Sequence, residues 1–429
     1  MNKNNKNPGP PKIKNDGYRK KAGSGGRTYA RETGNTDARD FPENKYYLDA
    51  AYKIKWIKWL AAVILVLFFF AGIIFNPKEV NAENLGYLLR YINIQGSNRA
   101  VKTEFQIELD ESSSICYYKN NIAVLRKNRL DIYDLNGRKN FNSKLAYSVP
   151  VLKASDKYII AYDLGTNKME VFNSFSRIYE YKGDKPVYFA AVTNQGNIVY
   201  ASSEKNYKSA VYVMNSGFNV TYRCLFEKDW VMCADIDDRA ETLAVAGYYA
   251  RDGDFLSRII LYSTKSEEPK KKIEVAGEIP YGIKLGGSGV FAVFENSFRC
   301  YGLNGDEISV YNFMRRKIQK IMLTSKLAAV VLSEKTLGTD DRILIFGGDG
   351  SILYDGVVDA EITDIKFSDD YRFLYFLTRA GLYKINIAQG TSGDAGGAYD
   401  ETTNHIICAN DKNIFLSGPL KINILEAGN

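Results

Sequence analysis

The chain carries one histidine, His405, and five cysteines, Cys116, Cys224, Cys233, Cys300 and Cys408. Histidine is the usual general base near neutral pH and the commonest metal ligand, so Ser-His-Asp or Cys-His hydrolysis would have to run through His405 alone. His405 opens a short apolar run, which predicts a structural or edge position for it. No CxxC or HExxH spacing supports a zinc site. An odd cysteine count gives no complete disulfide framework, and all five are read as small buried apolar residues. Gly286-Gly287-Ser288-Gly289 and Gly347-Gly348-Asp349-Gly350 lack the Lys-Ser/Thr ending of a phosphate loop and open no helix, so both read as strand turns. Asp235, Asp237 and Asp238 begin like a calcium loop, but Arg239 and the missing Gly and terminal Glu spoil the pattern, and a turn is expected. Asp340-Asp341 offers two carboxylates for glycoside chemistry, yet neighbours on a strand face opposite ways. Lys270-Lys271-Lys272, after Glu267 and Glu268, reads as a solvated hairpin. No catalytic, cofactor-binding or metal-binding residue is therefore assigned, and no cofactor is expected.

The elements that must position these side chains are strands. Short runs rich in Val, Ile, Tyr and Phe, such as KYIIAYDLG, GNIVYASS and GVFAVFENSF, are punctuated by Gly, Asn and Asp turns. They recur in four-stranded units beginning near Ser114, Val151, Val187, Val231, Tyr281, Ile321, Ile362 and His405. The third strand and its turn are the clearest part: DIYDLNG, AVYVMNSG, RCYGLNG and RILIFGGDG. Asn-Gly and Asp-Gly suit hairpin turns because both central residues can adopt positive φ. Four-stranded units at this spacing predict a β-propeller over residues 102–429. The last unit, Ile406 to Leu425, supplies about three strands, and Lys102 to Leu109 is expected to supply the fourth, closing the ring and removing exposed edges. The fold class is all-β with eight blades, seven being the alternative. The Gly-rich stretch Gln389 to Ala398 reads as a surface loop in place of an outer strand. In this arrangement Cys224 lies on an outermost strand and Cys233 on the next innermost one, too far apart to bridge.

Ahead of the propeller, Trp59 to Phe75 is a run of 17 uncharged, mostly apolar residues. At 1.5 Å per residue it spans about 26 Å, close to the hydrocarbon thickness of a bilayer. Lys53, Lys55 and Lys58 flank it with Trp56 and Trp59, and Asn76-Pro77 ends it. Residues 1–58 carry a net charge of +8 and the rest a net charge of −1. The positive-inside rule then predicts a cytoplasmic tail and an extracytoplasmic propeller at the plasma membrane. The expected organisation is a disordered basic tail over 1–54, a transmembrane helix over 55–77, and a juxtamembrane helix (ENLGYLLRY, Glu83 to Tyr91) with its linker over 78–101. Val80-Asn81-Ala82 is an acceptable signal-peptidase site, but the polar stretch before the apolar core is far longer than an ordinary signal peptide allows. The basic tail could contact anionic lipid; it has no folded motif for nucleic acid, and none is expected as a partner.

On the stretches ENLGYLL, LDIYDLNG and VPVLKASDKYIIAYDLGTNKMEVF, the region from Glu83 to Leu425 resembles a family of membrane-anchored propellers from Gram-positive bacteria whose function is unknown. The turn SDDYRFL is similar to the Ser-Pro-Asp-Gly turn of WD40-like propellers, with Asp369 in place of the Pro. The resemblance implies the fold and the single membrane pass and no activity. Trp230 is the only tryptophan beyond the membrane boundary, which argues against the quinone-dependent propeller enzymes with their repeated Trp motifs. The leading expectation is a binding or scaffold module for an envelope protein, a peptide or a wall polymer. The alternative is a carboxylate-dependent glycosidase or lyase working in the channel. Clustered, shielded carboxylates or arginines at the channel mouth would favour the alternative.

Overall fold

Alternating apolar runs broken by tight turns leave the chain two faces to bury on every strand, and it does so by stacking sheets side by side. A computed structural model describes residues 45–75 and 103–427 except 111, 288, 334–339 and 397–401, with the helical side chains described over 52–67. It divides into two units, 1–69 and 70–429.

One described helix, Lys45–Phe75, begins in the first unit; it includes the whole apolar run Trp59 to Phe75 and starts ten residues before the helix bound expected from the sequence. Among the described residues no helix is long and apolar enough to cross a membrane. The stretch expected to form a juxtamembrane helix lies outside the described residues.

The second unit is a propeller of eight four-stranded antiparallel sheets. Blades 1 to 8 cover residues 114–144, 150–180, 187–226, 230–276, 280–312, 318–358, 362–394 and 405–426. The eighth is completed by Glu104–Gln106, which pairs with Lys421–Glu426 through Phe105 opposite Ile422. The ladder continues with Ile107 N–H donating to Leu420 C=O at 2.9 Å and Leu109 N–H to Pro419 C=O at 2.7 Å. The closure expected from Lys102 to Leu109 is thus present, and the count is eight. Arg126 secures the path from this strand into blade 1. It donates to the Glu108 carbonyl from Nε (3.1 Å) and Nη2 (2.6 Å), and to the buried Asp131 carboxylate from Nη1 (2.6 Å).

One apolar cluster lies between each neighbouring pair of blades, eight in all. Between blades 5 and 6, Phe298 stacks on Phe346 with ring centroids 3.9 Å apart. The innermost strands have no ladder partner on their channel side, so their spare N–H groups need other acceptors. The preceding blade supplies several: Leu152 N–H donates to Ser114 Oγ (3.1 Å), Val231 to Ser209 Oγ (3.0 Å), Leu285 to Asp235 Oδ2 (2.8 Å), Ile362 to Asp341 Oδ2 (2.7 Å) and Ile406 to Asp364 Oδ2 (2.8 Å).

Three sequence expectations need correction. Thr391–Asp394 is the fully exposed outer strand of blade 7 rather than a loop, because an outermost strand needs backbone pairing on one side and no apolar face. Lys270, Lys271 and Lys272 lie on the outer strand Pro269–Ala276 of blade 4 and not in a hairpin, though all three are exposed. Asp235 is in the innermost strand of blade 4, not the turn after it.

Candidate functional site in the propeller channel

The innermost strands of blades 3 to 8 share an irregularity. Each skips one residue in its pairing with the second strand: Tyr188, Met232, Tyr281, Gln319, Thr363 and Ile407 in turn. Blades 1 and 2 pair without a skip. A bulge re-aims its extra side chain and is common beside functional sites. Gly247 permits the one in blade 4, since a Cβ there would lie 2.5 Å from the Trp230 carbonyl oxygen. In blades 3 to 5 the bulged residue is large and exposed: Tyr188 at 45%, Met232 at 45% and Tyr281 at 52%. Trp230, two residues before Met232, is 47% exposed, and Lys208 Nζ stands 5.0 Å from its ring. Three consecutive blades therefore each leave a large aromatic or thioether side chain exposed near the start of the innermost strand.

The opposite sector, blades 7, 8, 1 and 2, borders a cavity of about 1340 Å³. Its wall includes Lys153 on blade 2, Lys366 on blade 7, Cys116 on blade 1 and Cys408 on blade 8. The lysines belong to a repeated sequence, Lys153-Ala-Ser-Asp156 and Lys366-Phe-Ser-Asp369. In both copies the lysine is the last residue but one of the innermost strand, the serine ties the turn, and the aspartate borders the cavity. Ser155 Oγ accepts from Tyr158 N–H at 3.3 Å, and Ser368 Oγ accepts from Phe373 N–H at 3.0 Å. Lys153 reaches channel water but is enclosed by protein; that burial, and then the like charge of Lys366, hold its ammonium below the usual lysine range. Burial pushes the Cys116 and Cys408 thiols up to about 12. Burial also raises the Asp369 carboxyl, which Lys366 opposes and the charges of Asp411, Asp370 and Asp156 reinforce.

His405 lines the same cavity and pairs through Nδ1 with Asp364 of blade 7. Asp364 also accepts from Ile365 N–H at 2.9 Å and Ile406 N–H at 2.8 Å. Burial works to raise Asp364, but the His405 hydrogen bond, the His405 charge and those N–H groups outweigh it and leave the carboxyl below its ordinary value. Ser417 lies opposite His405 in the ladder, yet no hydrogen bond joins their side chains. The contact is an interblade latch, as the edge position of His405 suggested.

The remaining sequence candidates also have structural roles. Asp235 pairs with Lys284 of blade 5 at 2.8 Å. Asp237 Oδ1 accepts from Glu241 N–H at 2.7 Å, and Asp238 Oδ1 accepts from Asn194 N–H at 3.1 Å. Asp341 serves the blade 6 to 7 latch. Among the described residues no group of acidic, histidine and cysteine side chains has metal-binding geometry. All five cysteines are free, and Cys224 and Cys233 sit on the outer strand of blade 3 and the inner strand of blade 4 as expected. Cys224, Cys300 and Cys408 are buried; Cys116 and Cys233 are only partly so. The sequence reading overlooked the Lys-x-Ser-Asp repeat and the bulged aromatic sector. The repeat was visible; the bulges were not, because pairing register is a property of two strands together.

Solved structures similar to this chain include the C-terminal WD40 domain of Sif2, with a TM-score of 0.53, 12% identity, and coverage of 77% of this chain and 100% of that one. A eukaryotic initiation factor matches with a TM-score of 0.50 at 13% identity, covering 77% of this chain and 87% of that one. Likeness at this identity shows the fold alone. A comparison with curated protein sequences finds no match. The profile of one family covers residues 94–422, most of the chain and nearly all of the propeller, so the protein belongs to DUF5711, a family of unknown function.

Proposed function

We propose that this protein is a binding or scaffold module anchored in the plasma membrane by one helix, with its propeller on the extracytoplasmic side. The carrying observation is the set Tyr188, Trp230, Met232 and Tyr281, four large side chains left about half exposed on the innermost strands of three consecutive blades. Exposed aromatic and thioether groups on a rigid ring are the usual anchors of a recognition surface. Anchoring is supported by the uncharged run Trp59 to Phe75 and by the confinement of positive excess to residues 1–58. The occupant is an envelope protein, a peptide or a wall polymer, and the basic tail is suited to anionic lipid headgroups on the inner face.

The test is crosslinking in intact cells followed by mass spectrometry of captured partners. A reproducible envelope partner, lost in a Trp230→Ala/Tyr281→Ser double variant that still folds, is the expected result. Capture by the propeller of cytoplasmic proteins alone would overturn the topology.

A second reading, carbohydrate cleavage in the channel, draws on Asp369 and Asp156. Both border the cavity, and Asp369 holds its proton more tightly than usual, as a general acid must. Turnover of a wall glycan that Asp369→Asn abolishes would establish it in place of simple binding.

A further inference from the structure

The channel lysines differ in how their charge is met. Lys284 on blade 5 is neutralised by Asp235 at 2.8 Å. Lys153 and Lys366 line the cavity and, among the described residues, make neither an ion pair nor a side-chain hydrogen bond. Blades 8 and 1 stand between theirs in the ring, so the two lysines border the cavity from either side of the intervening wall, near enough for the charge of Lys366 to act on Lys153. Between them the wall presents Cys116 and Cys408, whose thiols burial pushes up to about 12. The carboxylates of the same repeat, Asp156 and Asp369, sit three residues on and border the same cavity; the charge of Lys366 is felt at Asp369, but the two form no direct ion pair. Two like charges that border one cavity, neither held in a direct ion pair, repel each other, and an anionic group that joined them would relieve that repulsion.

We propose that Lys153 and Lys366 form a receptor for an anionic group, a phosphate or carboxylate carried by the ligand, which binds in the channel and bridges the two ammoniums. This rests on the reading of the channel as a binding site and adds the chemistry of its ligand. The cavity has room for a ligand the size of a short oligosaccharide or peptide around that anion. Asp156 and Asp369, bordering the same cavity, favour a neutral or cationic remainder beside them.

The experiment uses the full chain in detergent, with thermal unfolding and calorimetric titration against inorganic phosphate and against galacturonate oligomers. Chloride at equal ionic strength controls for general screening. Phosphate or galacturonate should raise the unfolding temperature above the chloride control, and the one that does so identifies the anion. Lys153→Met and Lys366→Met should each weaken that binding about tenfold or more, while Lys412→Met on an exposed turn leaves it unchanged. Lys153→Gln replaces Lys153→Met if the latter fails to unfold cooperatively. No anion-specific effect at about 10 mM, or an effect equal in both lysine variants and the parent, overturns the proposal. If partner capture in cells persists under those results, the binding reading stands and only the anion site falls; if capture fails as well, both fall.

Discussion

Three of the five cysteines, Cys116, Cys233 and Cys408, stand on innermost strands, where burial pushes each thiol up to about 12. Such thiols stay protonated at neutral pH and react slowly. Labelling with a maleimide should therefore be slow in the native protein and reach five thiols after denaturation; rapid native labelling of Cys116 would contradict the protonated wall. The latch between Asp364 and His405 gives a second prediction. Because the folded Asp364 titrates below its unfolded value, its contribution is fully present above the unfolded value of about 3.9 and fades as pH falls through the folded one. Asp364→Asn should destabilise the propeller by about 2 kcal/mol at neutral pH, with the gap narrowing in acid, as read from urea titrations at both conditions. The sequence placed His405 at a strand start, but its partner lies 41 positions away on another blade, and no local pattern joins them.

Blade closure is an element-scale matter. Phe105 is 6% exposed, on the three-residue strand that completes blade 8, and packs in the cluster shared with blade 1. Phe105→Ala should lower stability by about 3 kcal/mol, measured by denaturant unfolding. Gly137 sets the adjoining turn at φ +76°, and a Cβ there would approach Phe105 Cβ to 2.6 Å, so Gly137→Ala strains the turn and the closure together. A variant as stable as the parent at either position would mean that the ring does not depend on this strand. The third strands and their Asn-Gly and Asp-Gly turns were readable because turn chemistry is local. The outer strand Thr391–Asp394 was not, because TSGD has neither apolar alternation nor β-branched enrichment and is a strand only by pairing with Leu382–Asn386.

At the scale of the whole molecule, the proposed anchoring can be tested directly. Protease treatment of intact cells freed of their wall should degrade the propeller and spare residues 1–58; protection of the propeller until the membrane is breached would reverse the proposed orientation. The ring has two unlike sectors, innermost strands with exposed aromatic and thioether side chains on blades 3 to 5 and a cavity lined by lysines and aspartates on blades 7, 8, 1 and 2. A ring of similar repeats becomes a directional site once its blades diverge in this way, because each innermost strand contributes its own side chains to the shared channel.

By itself the sequence determined the repeat period, the strand-rich units, the N-terminal strand that closes the ring, and the apolar run with its one-sided charge. These are carried by composition, alternation and turn residues, which act over a few positions. Tertiary structure alone decided the rest. It settled eight blades over seven, sent Asp235 into a strand to meet Lys284, left Tyr188, Met232 and Tyr281 exposed where their strands bulge, and brought Lys153 and Lys366 to one cavity from 213 positions apart. The physical reason is that register and ring closure depend on how separate strands pair and stack, and a site in the channel exists only after the ring has closed.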